Sequence, residues 1–184
     1  YYPLVAWVIG KKSPRVYIGQ GADAIMTGLS CNSSLATVPL TLRCLERMGV
    51  SAQSARLAAC VGTNLNNDGI TLYEAMAALF LAHALGYDLP ISKQIVIVVA
   101  SIIAGAGVAG IPEAGMIVLP LVLAAAGLPD QVILAAIPLI MTVDWIIARA
   151  RSGVNVMSDM LVAILLDVGK TVPGTECHAE AERL

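Results

Sequence analysis

The sequence predicts an all-α membrane protein made of broken transmembrane helices, with two opposed re-entrant helical hairpins. Three observations lead to this fold class. The chain has 184 residues, of which 58% are hydrophobic and 13% are charged, and its mean hydropathy is +0.80, whereas about a quarter of the residues of a soluble domain are charged. Turn-forming residues interrupt its apolar segments at three places, and its last segment carries ionisable residues at helical spacing.

Charge and cysteine content exclude several functional classes. The formal net charge is -2 and the 11 lysines and arginines are scattered along the chain, so no nucleic-acid partner is expected. The four cysteines lie far apart, no CxxC motif is present, and only two histidines accompany them. Neither a disulfide framework nor a zinc site is therefore expected.

The chain opens on an apolar run, residues 1–10, which precedes the polar residues 11–15. This run is too short to span a bilayer, which takes roughly 20 helical residues, and it lacks the charged start and the cleavage site of a signal peptide. We expect it to be the end of a truncated transmembrane helix, and the chain to be the C-terminal part of a longer protein.

Two apolar regions are predicted to form helical hairpins. The first covers about residues 18–43, and the polar sequence 30–34 separates its halves. The second covers about residues 91–127, and its halves meet at the glycine-rich sequence 105–115. A polar break interrupts the first region, and glycine and proline interrupt the second, so each region should form two short helices with a tip. The glycine-rich tip lacks the Lys-Ser/Thr ending of a phosphate-binding loop, and a flexible gate is the better interpretation.

A third interrupted segment lies between the hairpins, at about residues 52–86, and its centre at 64–69 contains Asn, Asp and Gly. Asn and Asp compete with helical hydrogen bonding, so the helix is expected to be unwound there. A last long helix is predicted at about 131–167, and the polar residues 169–184 are expected to form a cytoplasmic tail. Residues 11–168 would thus make up one core domain.

The three interruptions together indicate a shared internal site. Unwound backbone inside a membrane needs partners for its N–H and C=O groups, and broken helices in two corresponding halves are typical of the binding sites of secondary transporters. The turns beside the second hairpin have Lys93 as their only basic residue. By the positive-inside rule this hairpin would therefore enter from outside and the first from the cytoplasm. The basic residues that flank the first hairpin are Lys11, Lys12, Arg15, Arg43, Arg47 and Arg56.

The last helix carries a polar stripe. At 100° per residue, five of its residues fall within about 80° of one another, and ionisable groups at membrane depth usually line a substrate or ion path. Arg151 is the best candidate to bind an anionic ligand, because its planar guanidinium holds a carboxylate with two hydrogen bonds. A salt-bridged packing seam between helices is the alternative. The five residues are Asp144, Ala148, Arg151, Asn155 and Asp159.

Oxygen-bearing side chains in the apolar segments indicate a cation site. Asn66, Asp68, Asn155 and Asp159 carry such oxygens, and unwound backbone near Gly62 would add carbonyls. Hard cations such as sodium prefer these ligands. Capping of a helix kink by Asn and Asp is the alternative.

Three further side chains have more than one interpretation. Ser33 and Ser34 would be the nucleophiles of an intramembrane hydrolase, but no recognisable motif supplies a base, and a helix tip that faces an anion is the better interpretation. Glu74 in a desolvated position would carry a proton at neutral pH. A buried, hydrogen-bonded glutamate is an equally good interpretation.

Four stretches resemble the motifs of the dicarboxylate/amino acid:cation symporters, a family that includes the glutamate transporters. Residues 33–39 (SSLATVP) resemble the serine-rich tip of the family's first hairpin, and residues 66–74 (NNDGITLYE) resemble its NMDG signature. Residues 110–115 (GIPEAG) resemble the tip of the second hairpin, and residues 144–159 resemble the eighth helix. The motifs occur in the family's order and span nearly the whole chain.

The resemblance implies an elevator-type transport domain that is coupled to sodium, needs no organic cofactor and belongs to a homotrimer. One sodium site would use the carbonyls of Gly62, Asn66 and Asn155 with the carboxylate of Asp159. A third site would use Asn66 and Asp68 with ligands on an earlier helix. A second site under the outer gate would use the carbonyls of Asn64, Gly105, Ala106 and Val108.

The substrate site is also implied by the resemblance. Backbone at Ser34, Ile111 and Gly115 would contact the substrate, while Asn155 would bind one carboxylate and Arg151 the other.

The chain departs from the family pattern at several of these positions. The acid that binds the substrate amine in amino acid carriers is Ala148, and the threonine that follows the NMDG signature is Ile70. Asn67 replaces the usual methionine, which puts the details of the second sodium site in doubt. Asn32 replaces an arginine of archaeal members, while Arg149 would supply one from the eighth helix, as in animal members.

We therefore expect a sodium-coupled symporter of a dicarboxylate such as succinate, fumarate or malate, or of an acidic amino acid. The loss of the amine-binding acid favours substrates without an ammonium group. A glutamate or aspartate symporter is the alternative, and Glu74 matches the acid that resembles a proton carrier in glutamate transporters. An intramembrane enzyme using Ser33 or Asp144, and a sensor or anion channel on the same fold, are further alternatives. The expected location is the plasma (inner) membrane, as a multi-pass protein in contact with lipid.

Overall fold

The structure is a computed structural model that describes residues 1–109 and 112–168, and within these residues all regular structure is helical. The predicted all-α class is therefore confirmed. Ile111 and the tail 169–184 lie outside the described residues. The α-helices are α1 (Tyr2–Val8), α2 (Pro14–Cys31), α3 (Ser34–Arg47), α4 (Ala52–Arg56), α5 (Asp68–Ala84), α6 (Ile91–Gly107), α7 (Ala114–Ala125) and α8 (Asp130–Asp167).

The first hairpin consists of α2 and α3, which pack against each other. Asn32 at φ 53° ends α2, and the Ser33 hydroxyl accepts a hydrogen bond from the Ala36 N–H at 3.1 Å, which starts α3. Both helices extend beyond the predicted bounds of 18 and 43. The extensions, residues 14–17 and 44–47, mix charged with apolar residues, and the Ser13 hydroxyl caps the start of α2 by accepting from the Val16 N–H.

The second hairpin consists of α6 and α7, which also pack against each other. Helix α6 continues through Gly107, so the glycine-rich tip is shorter than the predicted 105–115. Glu113 precedes α7 in the left-handed region at φ 62°, which costs a residue with a Cβ about 1–2 kcal/mol. Among the described residues, Gly86 and Gly127 have positive φ, follow α5 and α7 and end those helices.

The predicted broken helix is a succession of three helix types. A π-helical segment, Leu57–Val61, follows α4, then a 3-10 turn, Gly62–Asn64, and an irregular stretch at 65–67. Helix α5 starts at Asp68, so the predicted unwound region 64–69 is about two residues shorter at its C-terminal end. The changes of helix type rotate residues 63–67 relative to a continuous helix, and they turn polar side chains towards α8.

Helix α8 has 38 residues and packs against α1, α2, α3, α4, α5 and α7. In the described part of the chain it is the helix whose length and apolar composition suffice to cross a membrane, while α6 and α7 are apolar but shorter. Its N-terminal half joins an apolar cluster that includes Leu81 and Leu119, and its C-terminal half joins a second one that includes Tyr17 and Leu45. The polar stripe of α8 lies between the two clusters.

Candidate ligand-binding site

Four charged side chains are buried in the described residues, and three of them come from the middle of α8. Asp144, Arg151 and Asp159 are 2%, 5% and 2% exposed, and Glu74 of α5 is fully buried. Ala148 and Asn155 on the same helix face are also buried. The predicted polar stripe is therefore present as one buried face, as a 3.6-residue period requires.

Arg151 is the only buried cation among the residues that the structure describes, and it lies between two carboxylates. Its Nη2 is 3.3 Å from Asp144 Oδ1, and its Nη1 is 3.6 Å from Glu74 Oε1. The guanidinium carbon also lies 4.3 Å from the centre of the Tyr73 ring. Nη1 pairs with Glu74 at a distance too long for a hydrogen bond and makes no hydrogen bond within the described residues, so it keeps N–H donors for a carboxylate ligand.

The tips of both hairpins reach the neighbourhood of Arg151. A Cβ added at Gly115, at the start of α7, would overlap the Arg151 guanidinium and lie 2.7 Å from Glu74 Oε1. A small space is lined by residues of both tips, of α5 and of α8. The lining residues are Asn32, Ile70, Glu113, Ala114, Gly115, Ala148, Arg151 and Ser152.

Hydrogen bonds connect the two tips to each other and to α8. Asn32 donates from Nδ2 to Glu113 Oε1 at 3.4 Å, and its Oδ1 accepts from the Ser152 hydroxyl at 3.1 Å. The Ser34 hydroxyl at the start of α3 is 1% exposed and lacks a hydrogen-bond partner within the described residues. A buried hydroxyl without a partner costs about 1–3 kcal/mol, so this atom is available to a polar ligand.

Asp159 lies further along α8, beside the irregular stretch that precedes α5. Its Oδ2 accepts from the Thr63 hydroxyl at 2.7 Å, and its Oδ1 accepts from Asn66 Nδ2 at 3.1 Å. None of the basic groups in the described residues pairs with it, since the ion pairs there involve other acids. A buried carboxylate without a basic partner is a favourable position for a bound cation.

Asp68 lies at the edge of this region, in the first turn of α5. Its carboxylate accepts from the Ser158 hydroxyl at 2.7 Å and from the Tyr2 hydroxyl at 2.9 Å. Ser158 also lies 3.0 Å from Asn66 Oδ1. Asp68 is exposed in this chain, so it does not share the depth of the buried Asp159.

Asn67 and Asn155 connect the irregular stretch to α8 and α6. Asn155 donates from Nδ2 to Asn67 Oδ1 at 3.1 Å, and its Oδ1 accepts from the Gly69 N–H at 2.8 Å. Asn67 Nδ2 faces main-chain carbonyls at 3.4, 3.0 and 2.7 Å. These acceptors belong to Asn64, Gly105 and Val108, three of the four carbonyls expected at the second sodium site.

Most of the sequence-predicted site residues thus lie near α8. For three others, the structure shows no place in the buried site. Arg149 is exposed on another side of α8, where it donates to the Trp145 carbonyl and lies 5.6 Å from the centre of that ring. The structure does not bring it to Arg151, because two residues correspond to about 200° of helix rotation. Ala106 is exposed, and Ile111 lies outside the described residues.

Several site residues were not found by sequence reasoning. Thr63 and Ser158 hold the two acids near α5, and Tyr73 lies against Arg151. Single hydroxyls in an apolar segment carry no motif, and they are recognised only once the opposing acid is known. Spacing gives one signal, since Thr63 lies three residues before Asn66, and both hydrogen-bond the same carboxylate.

The class of protein that this fold and site define is an all-α membrane protein with a buried cluster of charges reached by two helical hairpins. The chain belongs to the Sodium:dicarboxylate symporter family, whose sequence profile matches residues 1–168. The family contains carriers and not enzymes, so the predictions of this family and of a non-enzymatic protein are confirmed.

The chain is also similar to individual members of this family. It is 39% identical to "Excitatory amino acid transporter 1" of Rattus norvegicus over 166 residues, an alignment that covers 90% of this chain and 30% of that protein. It is 37% identical over 166 residues to "Excitatory amino acid transporter 4" of Mus musculus, with 90% of this chain and 29% of that protein covered. It is 40% identical over 162 residues to "Excitatory amino acid transporter 5" of Mus musculus, with 88% of this chain and 28% of that protein covered. The chain spans about three tenths of the length of these relatives.

Proposed function

We propose that the protein is a sodium-coupled symporter of a small anion with two carboxyl groups, and that this chain is part of its transport domain. The observation that carries the proposal is the balance of buried charge, three acids against one arginine. With all four groups ionised, the site has an excess of two negative charges, so an entering anion would be repelled. Cations that enter with the anion offset this charge, which is a physical reason for coupling.

Arg151 is the proposed anion-binding residue. Its Nη1 makes no hydrogen bond within the described residues and faces the tip of the second hairpin at Gly115. The Ser34 hydroxyl, which also lacks a hydrogen bond there, supplies a further donor from the first hairpin. A bound carboxylate would draw the guanidinium away from Glu74, from which it is already 3.6 Å distant. Asn155 is the proposed partner of the second carboxylate.

Asp159 is the proposed centre of the sodium site. Its carboxylate accepts hydrogen bonds from Thr63 and Asn66, so it lies beside the 3-10 turn and the irregular stretch, to which Gly62 and Asn66 belong. Hard cations such as sodium favour carboxylate and carbonyl oxygens as ligands. Asp68 with Asn66 is the proposed contribution to a further site.

Sodium and anion would bind cooperatively because they share structural elements. Asn155 links the anion site to the irregular stretch through its hydrogen bonds with Asn67 and Gly69. A cation that orders this stretch also orders Asn155, so each ligand raises the affinity for the other by the same factor. The second hairpin is the proposed gate, and its tip contacts the first hairpin through Glu113 and Asn32.

Two substrate classes have specific support. The relatives are named for excitatory amino acids, which favours an acidic amino acid such as glutamate or aspartate. Ala148 favours an amine-free dicarboxylate, because it is buried between Asp144 and Arg151 on α8 and offers no acceptor to an ammonium group. In that region an ammonium would depend on Glu74 and Asp144, which already face Arg151.

The remaining features follow the family. We propose a multi-pass protein of the plasma membrane that assembles as a homotrimer in contact with lipid, with a cytoplasmic C-terminus. Glu74 is the proposed proton-coupling residue, since it is fully buried and neither of its carboxylate oxygens accepts a hydrogen bond from the described residues.

The test is uptake by the full-length protein in proteoliposomes under an inward sodium gradient. Labelled succinate and labelled aspartate are offered separately, and each is competed with the other. Sodium-dependent accumulation of either supports the symporter, and the competition order identifies the class. Product formation would indicate an enzyme, and current without accumulation would indicate a channel or sensor; each would contradict the proposal.

A further inference from the structure

The end of α6 and the irregular stretch before α5 together form a cluster of main-chain carbonyls. The carbonyls belong to Asn64, Gly105 and Val108. Gly105 lies in the last turn of α6, and Val108 follows that helix. The C-terminal end of a helix carries partial negative charge, and carbonyl oxygens are ligands of hard cations. Without a donor at its centre, this cluster would attract a small cation.

The side chain of Asn67 already supplies that donor. Its Nδ2 lies 2.7 Å from the Val108 oxygen, 3.0 Å from the Gly105 oxygen and 3.4 Å from the Asn64 oxygen. Asn67 is 2% exposed. An amide group has two N–H donors and no formal charge, so it satisfies the two nearer oxygens, of Val108 and Gly105, and occupies the centre where a cation would bind.

The orientation of this amide is fixed from its other side. Asn155 Nδ2 donates to Asn67 Oδ1 at 3.1 Å, and Asn155 is itself held by the Gly69 N–H at 2.8 Å. A flip of the Asn67 amide would place its NH2 group against the Asn155 NH2 group and its oxygen against three carbonyls. The hydrogen-bond network therefore allows one orientation, with the donors towards the carbonyl cluster.

We infer that the Asn67 carboxamide takes the place of one sodium ion at the carbonyl cluster of Asn64, Gly105 and Val108. The protein then moves its substrate with one sodium ion fewer than its oxygen donors would otherwise bind. The donor set thus does not fit the second sodium site that the family resemblance implies. This inference rests on the proposed function.

The test compares the full-length protein with its Asn67→Ala variant in proteoliposomes, and measures the number of sodium ions per substrate from the reversal potential of transport. The variant removes the amide and leaves the three carbonyls in place. The expected result is one more sodium ion per substrate in the variant than in the wild type. An equal or smaller number would overturn the inference. Gln53→Ala, the same kind of change at an exposed residue of α4, should keep the wild-type number.

A second measurement needs only the wild-type protein. Crystals of the full-length protein soaked in thallium, which replaces sodium and scatters anomalously, should show a peak beside Asp159 and none within the carbonyl cluster. A peak within the cluster would overturn the inference even if Asn67→Ala does not fold. Sodium-independent uptake by the wild type would instead overturn the proposed function, and the inference with it.

Discussion

Replacement of Arg151 by lysine keeps the positive charge and removes the planar fork. In the structure Nη2 is 3.3 Å from Asp144 while Nη1 points towards Glu74 at 3.6 Å. One ammonium group cannot reach both directions at once, so a substrate carboxylate would compete with Asp144 for the same atom. A hydrogen bond to a charged group contributes about 1.5–3 kcal/mol. The loss of one such bond corresponds to a fall in substrate affinity of about ten- to a hundredfold.

The assay is substrate binding at saturating sodium, measured by calorimetry on the full-length Arg151→Lys protein in detergent. Arg47→Lys is the matched control, because Arg47 is exposed and pairs with exposed Asp23 at 2.7 Å. Surface pairs contribute about 0–1 kcal/mol to stability, and Arg47 lies outside the site, so its replacement should leave affinity within about twofold. Sodium binding near Asp159 should remain in both variants, which separates a loss of anion binding from unfolding. Unchanged substrate affinity in Arg151→Lys would refute the role assigned to the guanidinium.

Three further changes test other parts of the site. Ala148→Asp adds a buried acid on the α8 face. In competition assays the ratio of affinities for amine-bearing and amine-free substrates should rise about tenfold, the effect of one charged hydrogen bond. An unchanged ratio would contradict the role of Ala148 in specificity. Asp159→Asn should raise the sodium concentration for half-maximal uptake about tenfold or more, whereas the exposed control Asp23→Asn should not. Gly69→Ala adds a Cβ that would overlap the α8 backbone at Arg151, and it should lower the free energy of unfolding by about 1–3 kcal/mol, seen as a lower melting temperature in detergent. Gly19→Ala is the control and should have little effect, because no atom lies within 4 Å of its added Cβ. Equal melting temperatures of the two variants would show that the helices can separate at Gly69.

The helix order and the buried face of α8 could be predicted because both depend on local patterns. One helix places residues four apart on one side, so the alignment of Asp144, Arg151 and Asp159 follows from spacing. The helices of the first hairpin extend about four residues beyond the predicted bounds at each side, because Arg15, Glu46 and Arg47 interrupt the apolar pattern before the helices end. Arg149 was placed in the site by resemblance, although its rotation from Arg151 already argued against it.

The contacts between segments could not be predicted in the same way. Where α6 ends relative to the irregular stretch decides which carbonyls face Asn67, and that depends on the packing of two helices 40 residues apart in sequence. The hydrogen bond between Thr63 and Asp159 also depends on packing between distant segments, since 96 residues separate the two. A sequence shows that oxygen-bearing residues are present, but packing decides whether they face a cation, a guanidinium or one another.

The five residues of the π-helical segment have a consequence for insertions and deletions. A π-helical turn accommodates one residue more than an α-helical turn. Deleting a single alanine from Leu57–Val61 would therefore convert the π-helical turn into an α-helical one and leave later side chains in phase, whereas the same deletion in a regular α-helix would shift them by about 100°. Thr63 and its neighbours would still face the long helix. The π-helical segment is thus the part of this broken helix that tolerates the loss of one residue.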